Sequence, residues 1–434
     1  MNAQRLFIHI IAHLVILFSA CSVWALENNP QKNPSGSDQS QAESTDGTQW
    51  PDRIGPFEFE SDDGLSSIRP GLSLQLLLSY ENEQEDADGS RLNSAVIKSR
   101  RIRPTLKGRI LGGDISYYLH LSTNYGSLEL MDVYFDFRIV PDAVVRAGQC
   151  KIPFTRYRIM SFKNLTFPDW PSVTRYFGAE RQMGLSLHNG YENQKEFAYV
   201  IGAYTGQNSR AAHATGLAHT YGISLENPSD LTDPAPPDEF HPELVGHFSY
   251  NYGGIDTKTD TDWSGGGLRF SLGISAAWDI RPVRYVDTAQ RIAPEFLLKV
   301  SNISFFTAFY AGFVQDTYLG EASGSAPAVM GALVQASWLF IRRFEISARY
   351  VFIDIDNGIL EDTRIRATAD ADTAPEDLDT IGVVNQEHEA ALGFNFYIIG
   401  TSLKLQTDVA WLGTRLIHED RDDVRVRSQL TLAF

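Results

Sequence analysis

From residue 72 onward the chain repeatedly sets an apolar residue beside a polar one. Leu72, Leu74, Leu76, Leu78 and Tyr80 alternate with Ser73, Gln75, Leu77 and Ser79. Phe344, Ile346, Ala348, Tyr350 and Phe352 alternate with Glu345, Ser347 and Arg349, and Leu403, Leu405, Thr407, Val409 and Trp411 with Ser402, Lys404, Gln406 and Asp408. Successive side chains of a strand point to opposite faces, so these runs predict strands with one apolar and one polar face. Helix loses throughout, because heptad spacing is absent while Gly, Thr and aromatics are frequent. A water-soluble sandwich alternates too. Runs of about ten residues with a strongly polar second face favour strands that cross a lipid bilayer as a closed barrel.

The connections give the topology. Short ones are expected at Gly112-Gly113-Asp114, Pro141-Asp142, 189–195, Ser301-Asn302, Ile341-Arg342-Arg343 and Ile399-Gly400. Longer ones alternate with them at 81–97, 151–180, 206–240, 280–290, 314–326, 355–386 and 413–422. Short turns on one side and long loops on the other are the outer-membrane pattern, in which both termini are periplasmic and the strand count is even. A plain count gives an odd number if 218–226 is included. Placing that segment inside an external loop, with 243–251 as the returning strand, leaves sixteen antiparallel strands and makes 252–263 a long periplasmic turn.

The ends fit this reading. Residues 1–25 have Arg5 ahead of an apolar run and small residues at Val23 and Ala25, as an export signal cleaved after Ala25 would; lipidation at Cys21 is the alternative. Residues 26–64 are Asn-, Gln-, Ser-, Asp- and Pro-rich and read as a flexible periplasmic lead-in to a barrel over 65–434. The last strand puts Val424, Val426, Leu430, Leu432 and Phe434 on one face, resembling the terminal signal read by the barrel assembly machinery.

Composition narrows function only partly. Charged residues at 21% and a mean hydropathy of −0.21 look soluble, yet alternating lipid and lumen faces average to the same value. The formal charge of −17 becomes −18 once Arg5 leaves with the signal, which gives no generic attraction for nucleic acid. Cys150, the one cysteine of the mature chain, excludes an internal disulfide and reads as a small buried hydrophobe. The aspartates between 256 and 262 and the pair Asp370 and Asp372 lack an EF-hand frame and read as solvated loop acids. The histidines have no metal-ligand spacing, no cofactor motif or nucleophile elbow appears, and an enzyme is not expected.

Two basic constellations remain. On the second strand Arg101, Arg103, Lys107 and Arg109 share the face expected to line the lumen, while Arg100 is expected to point outward. Pro104 could mark a bulge that flips the register; the flip would set Lys107 and Arg109 in lipid at about 2–4 kcal/mol each, so it is disfavoured. The following strand pair adds Arg146. Residues 151–175 then hold Lys151, Arg156, Arg158, Lys163 and Arg175 against one acid, Asp169, together with many aromatics. A basic, aromatic insert of that length is expected to be folded, and to fold inward as a constricting third loop. Guanidinium and ammonium groups along a pore can replace part of an anion's hydration, and the planar fork of arginine suits phosphate-like oxyanions.

Ser99-Arg100-Arg101-Ile102-Arg103, the segment from Gly148 to Phe154, Glu180-Arg181-Gln182-Met183-Gly184-Leu185 and residues 199–206 resemble the phosphate-selective porin O/P family. That resemblance implies a sixteen-stranded, outer-membrane, homotrimeric barrel in contact with outer-membrane lipid, whose third loop folds inward and whose arginines line a path for small anions. Arg100 and Arg101 match the family's paired arginines, and the segment from Arg156 to Lys163 falls in its constricting loop. Cys150 stands where an aromatic is usual, and the third strand offers Ser116, Tyr118, His120 and Ser122 where phosphate-specific members have an acid. A general or weakly cation-preferring porin and a plugged surface or adhesion barrel remain alternatives.

Overall fold

The computed structural model describes residues 57–84, 91–124, 127–178, 181–191, 195–205, 242–280, 288–314, 329–355, 384–416 and 420–434. The expected export signal, most of the lead-in and the segment 218–226 lie outside them.

Sixteen long antiparallel strands follow a two-residue strand, β1 (Phe59–Glu60). They are β2 (Ser67–Gln84), β3 (Arg91–Ile110), β4 (Ile115–Asn124), β5 (Ser127–Val140), β6 (Ala143–Lys151), β7 (Arg181–His188), β8 (Phe197–Tyr204) and β9 (Glu243–Tyr252). The second half comprises β10 (Arg269–Asp279), β11 (Thr288–Val300), β12 (Ile303–Val314), β13 (Val329–Ile341), β14 (Phe344–Ile355), β15 (Val384–Ile399), β16 (Leu403–Leu416) and β17 (Asp420–Ala433). Each pairs with the next, and β17 pairs with β2 from Val424 opposite Asn82 to Ala433 opposite Ser73, so the sheet closes on itself. Phe434 completes the seam by exchanging backbone hydrogen bonds with Leu72 at 3.0 and 3.2 Å.

The barrel is inverted relative to a soluble protein. Gln75, Lys404, Gln406, Asp408, Gln429 and Thr431 are fully buried, whereas Ile97, Leu185 and Leu272 are exposed. The apolar members of the alternation face lipid and the polar members face the lumen. At the short-turn end aromatic rings gather, Tyr252 against Phe270 and Trp338 with Phe340, Phe344 and Phe396, as side chains with one apolar and one wet side do at a membrane interface.

Three expectations need correction. Segments 81–97 and 413–422 are not simply loops: β2 and β3 stay paired to Gln84 and Arg91, and β16 and β17 to Arg415 and Asp420. Polar residues at these strand ends carry on the ladder in water, where no apolar alternation is needed. The long periplasmic turn exists, spanning 253–268, but it folds into the barrel. Ile255, Asp260, Thr261 and Asp262 are all buried. Residues 57–64, read as the end of the lead-in, run back along the barrel, where Phe59 and Glu60 pair with Ile68 and Ser67.

Candidate permeation path

The segment between β6 and β7 crosses the lumen. Its polypeptide forms a short helix at Arg156–Ile159, a single 3-10 turn at Phe162–Asn164 and a helix at Ser172–Phe177. Ile152, Phe154, Tyr157, Met160, Phe162, Leu165, Phe167, Val173 and Phe177 are buried along it. All but Phe167, which packs against Ala391 and Ala410, lie on a wall where the lumen face is itself apolar: Ala293 and Leu297 on β11, Phe306, Ala308 and Tyr310 on β12, Leu333 on β13, and Val351 and Ile353 on β14. Burial of a phenylalanine-sized side chain stabilises by about 1.5–3 kcal/mol, so this cluster is a hydrophobic core inside a membrane protein. Gly331 on β13 permits the closest approach, since a Cβ there would lie 2.5 Å from Val173 and 2.8 Å from Phe177.

Polar groups fix the ends. Thr155 N–H donates to Ser275 Oγ at 2.9 Å and Arg156 N–H to Glu295 at 2.9 Å, meeting the open donors at the start of the first helix. At the far side Lys404 Nζ and Gln406 Nε2 donate to Leu165 O at 2.7 and 3.0 Å, Asn395 to Thr166 O at 2.8 Å, and Arg349 to Asp169 O at 3.0 Å. The loop thus fills the side of the lumen bounded by β10 to β16, and the strands β3 to β7 face its other surface.

The cations expected from sequence divide by what they touch. Arg100 points into the lumen, not outward, and binds Asp169 beside Arg101. The cause is a bulge: Gln75 pairs with Arg101 and Leu76 with Ser99, so Arg100 is an extra residue in β3. Pro104 sits opposite Leu72 in unbroken register. Arg101 also donates to Gln75 and lies over Phe162 and Trp170, its guanidinium carbon 5.3 and 5.1 Å from their centroids. Arg103 lies 5.1 Å over Phe162. Lys107 lies near Lys163, whose ammonium is lowered by burial and then by the charge of Lys107. Arg109 pairs with Glu60 at 2.6 Å near the periplasmic end of β3, and half of its side chain is in water. Arg146 forks onto Asp136 through two hydrogen bonds, 2.7 and 2.9 Å, and stacks on Tyr134.

Within the loop, Arg156 does not line a path. It is buried against Asp260 at 3.1 Å and donates to the carbonyls of Thr257 and Thr259. Burial works against its charge, but Asp260, Tyr157 and Glu295 outweigh that and raise it above an arginine's ordinary value. Arg158 packs over Gly178, where a Cβ would come within 2.7 Å of its Cδ. Arg175 lies in the second helix, Ser172–Phe177, and its side chain is outside what the structure describes.

Lys151, expected within the basic insert, instead ends β6; it sits 5.3 Å over Trp170 and feels the positive charges of Arg181, Arg158 and Arg103 against that of Asp132. Sequence reading missed other functional candidates. Arg181 donates to Asp132 at 2.8 Å, and the other oxygen of that carboxylate lies 2.6 Å from His120 Nδ1. Asp132 supplies the acid expected to be lacking on this wall, from the neighbouring strand β5. Arg349–Glu389 and Arg427–Asp408 are buried ion pairs flanking the loop tip. One signal was available: β12 reads Ile-Ser-Phe-Phe-Thr-Ala-Phe-Tyr-Ala-Gly-Phe-Val, apolar on both faces, so its inner face must be covered by protein.

A closed barrel, apolar outside and polar inside, narrowed by a loop folded into its lumen, defines an outer-membrane channel of the porin class. The chain belongs to the family described as phosphate-selective porin O and P, which matches residues 73–434. It is therefore a protein of the bacterial outer membrane. Among solved structures it is similar to the outer membrane channel DcaP of Acinetobacter baumannii, with 13% identity, TM-score 0.53, and coverage of 87% of this chain and 99% of that one. It is also similar to an anion-selective porin from Comamonas acidovorans, with 13% identity, TM-score 0.51, and coverage of 85% and 100%. Pseudomonas putida OprB shares 10% identity at a TM-score of 0.53 over 84% and 94%. No curated protein matches the chain significantly.

Proposed function

We propose that this channel passes small anions, with phosphate-like oxyanions favoured, along the surface between the loop and strands β3 to β7. The observation that carries the reading is the grouping of Arg103, Arg158 and Arg181 about Lys151, with Asp132 paired to Arg181 as the one acid among them. Two charges 4 Å apart interact by about 4 kcal/mol at an effective dielectric near 20, against about 1 kcal/mol in water. External acids beyond the roughly 8 Å screening length count little there, so the net −17 of the chain does not decide selectivity. The family match and the anion selectivity of the Comamonas porin support the same reading. A homotrimer embedded in outer-membrane lipid, exported by residues 1–25, completes it.

A general or weakly cation-preferring porin is the second reading, and Asp132 and Asp136 on that wall, with Asp169 on the loop facing it, favour it. Reversal potentials in a salt gradient across a planar bilayer separate the two. The wild-type channel should prefer anions, and Arg103→Glu with Lys151→Glu should move the potential toward cations and weaken block by phosphate. A wild-type pore that already prefers cations, or a double variant with unmoved selectivity, sinks the anion reading.

A further inference from the structure

We infer that the inward-folded periplasmic turn, residues 253–268, is the support that sets the bore of the channel, and that Asp260 is the residue through which it holds the constricting loop. The turn is built in two stages. Asp262 pins its base: the carboxylate accepts two hydrogen bonds of 2.9 Å from Arg269 and one of 3.0 Å from the Asn302 N–H. Lys299, 1% exposed, then stitches the turn to the barrel wall. Its ammonium donates to the carbonyls of Asp256, Thr259 and Thr261 at 2.8, 2.9 and 3.0 Å.

The turn held in this way presents Asp260 upward. One carboxylate oxygen takes Arg156 at 3.1 and 3.2 Å, and the other lies 3.2 Å from the Thr166 N–H. Arg156 opens the first helix of the loop and Thr166 stands before its tip, so one side chain ties together two points ten residues apart. Backbone contacts parallel the tie, with Asp260 N–H donating to Asn164 O and Asn164 Nδ2 to Lys258 O. Apolar packing holds the loop sideways against β11 to β14. The turn meets it as a separate segment of chain, through Lys258 and Asp260.

Asp260 is thus a positioning residue. It touches no permeant, and it places Phe162 and Lys163 opposite Arg103 and Lys107. Without it the loop has freedom to sink toward the periplasm. The direction of the selectivity change rests on the anion reading above, whereas the change in bore does not.

The test uses the full chain inserted in planar bilayers. Asp260→Ala should raise single-channel conductance, add open-channel noise and bring the anion-to-cation permeability ratio toward parity, while heat-modifiable electrophoretic mobility shows an intact barrel. Asp260→Asn keeps one oxygen that can accept from Arg156 or from the Thr166 N–H. It should return conductance and noise part of the way to wild type, a graded rescue that loss of barrel folding would not give. If Asp260→Ala does not insert, Asp260→Asn against wild type decides the matter by the same readouts. An intact Asp260→Ala barrel with wild-type conductance and noise, or Asp260→Asn no quieter than Asp260→Ala, overturns the inference. A wild-type pore without anion preference overturns the anion reading, and conductance still reports on the turn.

Discussion

At the scale of residues, an anchoring cation is one buried against both an acid and a carbonyl of the loop. Arg349 is buried with Glu389, its guanidinium carbon 4.2 Å over the Phe167 ring, and it donates to the Asp169 carbonyl. Removing one partner of such a pair typically costs about 3–5 kcal/mol, because the other charge stays buried. Arg349→Met should therefore lower the temperature at which the barrel loses its heat-resistant mobility, and adding Glu389→Gln should recover much of the loss. Lys163 behaves differently. Burial and Lys107 lower its pKa, so it loses its proton at a lower pH than an ordinary lysine. Anion preference should accordingly begin to fall as pH rises toward the lysine range. In Lys163→Arg, which stays charged, the fall should start later; identical pH curves for the two proteins would remove Lys163 from the path. Such distinctions were not legible in the sequence. The run of cations was visible, but partners such as Asp260, on the inward turn, and Asp136, on a neighbouring strand, are brought alongside only by the closed sheet.

At the scale of elements, the strands were legible and the loop only half so. Period-two patterning finds strands because burial in lipid forces it, and it fails at β2 and β3 beyond about residue 81, where the ladder continues in water under no such force. The loop announced itself by length, aromatics and charge. Its docking wall was overlooked although β12 is apolar on both faces, and the turn 253–268 was expected but not its fold into the lumen, because its aspartates look like any solvated acids. Gly331 tests the docking directly. A valine there would meet Val173 and Phe177 at under 3 Å, displacing the second helix from the wall. Gly331→Val should widen or destabilise the constriction, seen as altered conductance with the barrel intact, whereas Gly246→Val on β9 should change little.

At the scale of the whole molecule, parity decided the strand count: with both ends on one side, the chain must cross an even number of times. Closure between β17 and β2 then joins residues more than three hundred positions apart in sequence, and Phe434 lies at that seam with the Phe57 ring 6.1 Å away. Deleting Phe434 should impair insertion into the outer membrane far more than deleting residues 30–45, read as the fraction of folded barrel in membrane preparations. Equal effects would mean that the terminal residue closes the sheet without directing assembly.

The bulge in β3 has a consequence for how the chain tolerates change in length. A strand with one buried and one lipid-facing side cannot normally lose a residue, because every later side chain then changes face. Arg100 is the exception, since its neighbours Ser99 and Arg101 already stand opposite adjacent partners, Leu76 and Gln75. Excising Arg100 alone would splice the ladder into regular register, leaving Arg101 and Arg103 facing inward. Excising Ile102 would turn one flank of the strand inside out. The positive charge at the loop tip can therefore be dosed by adding or omitting a single codon, at a position where the barrel carries a spare residue.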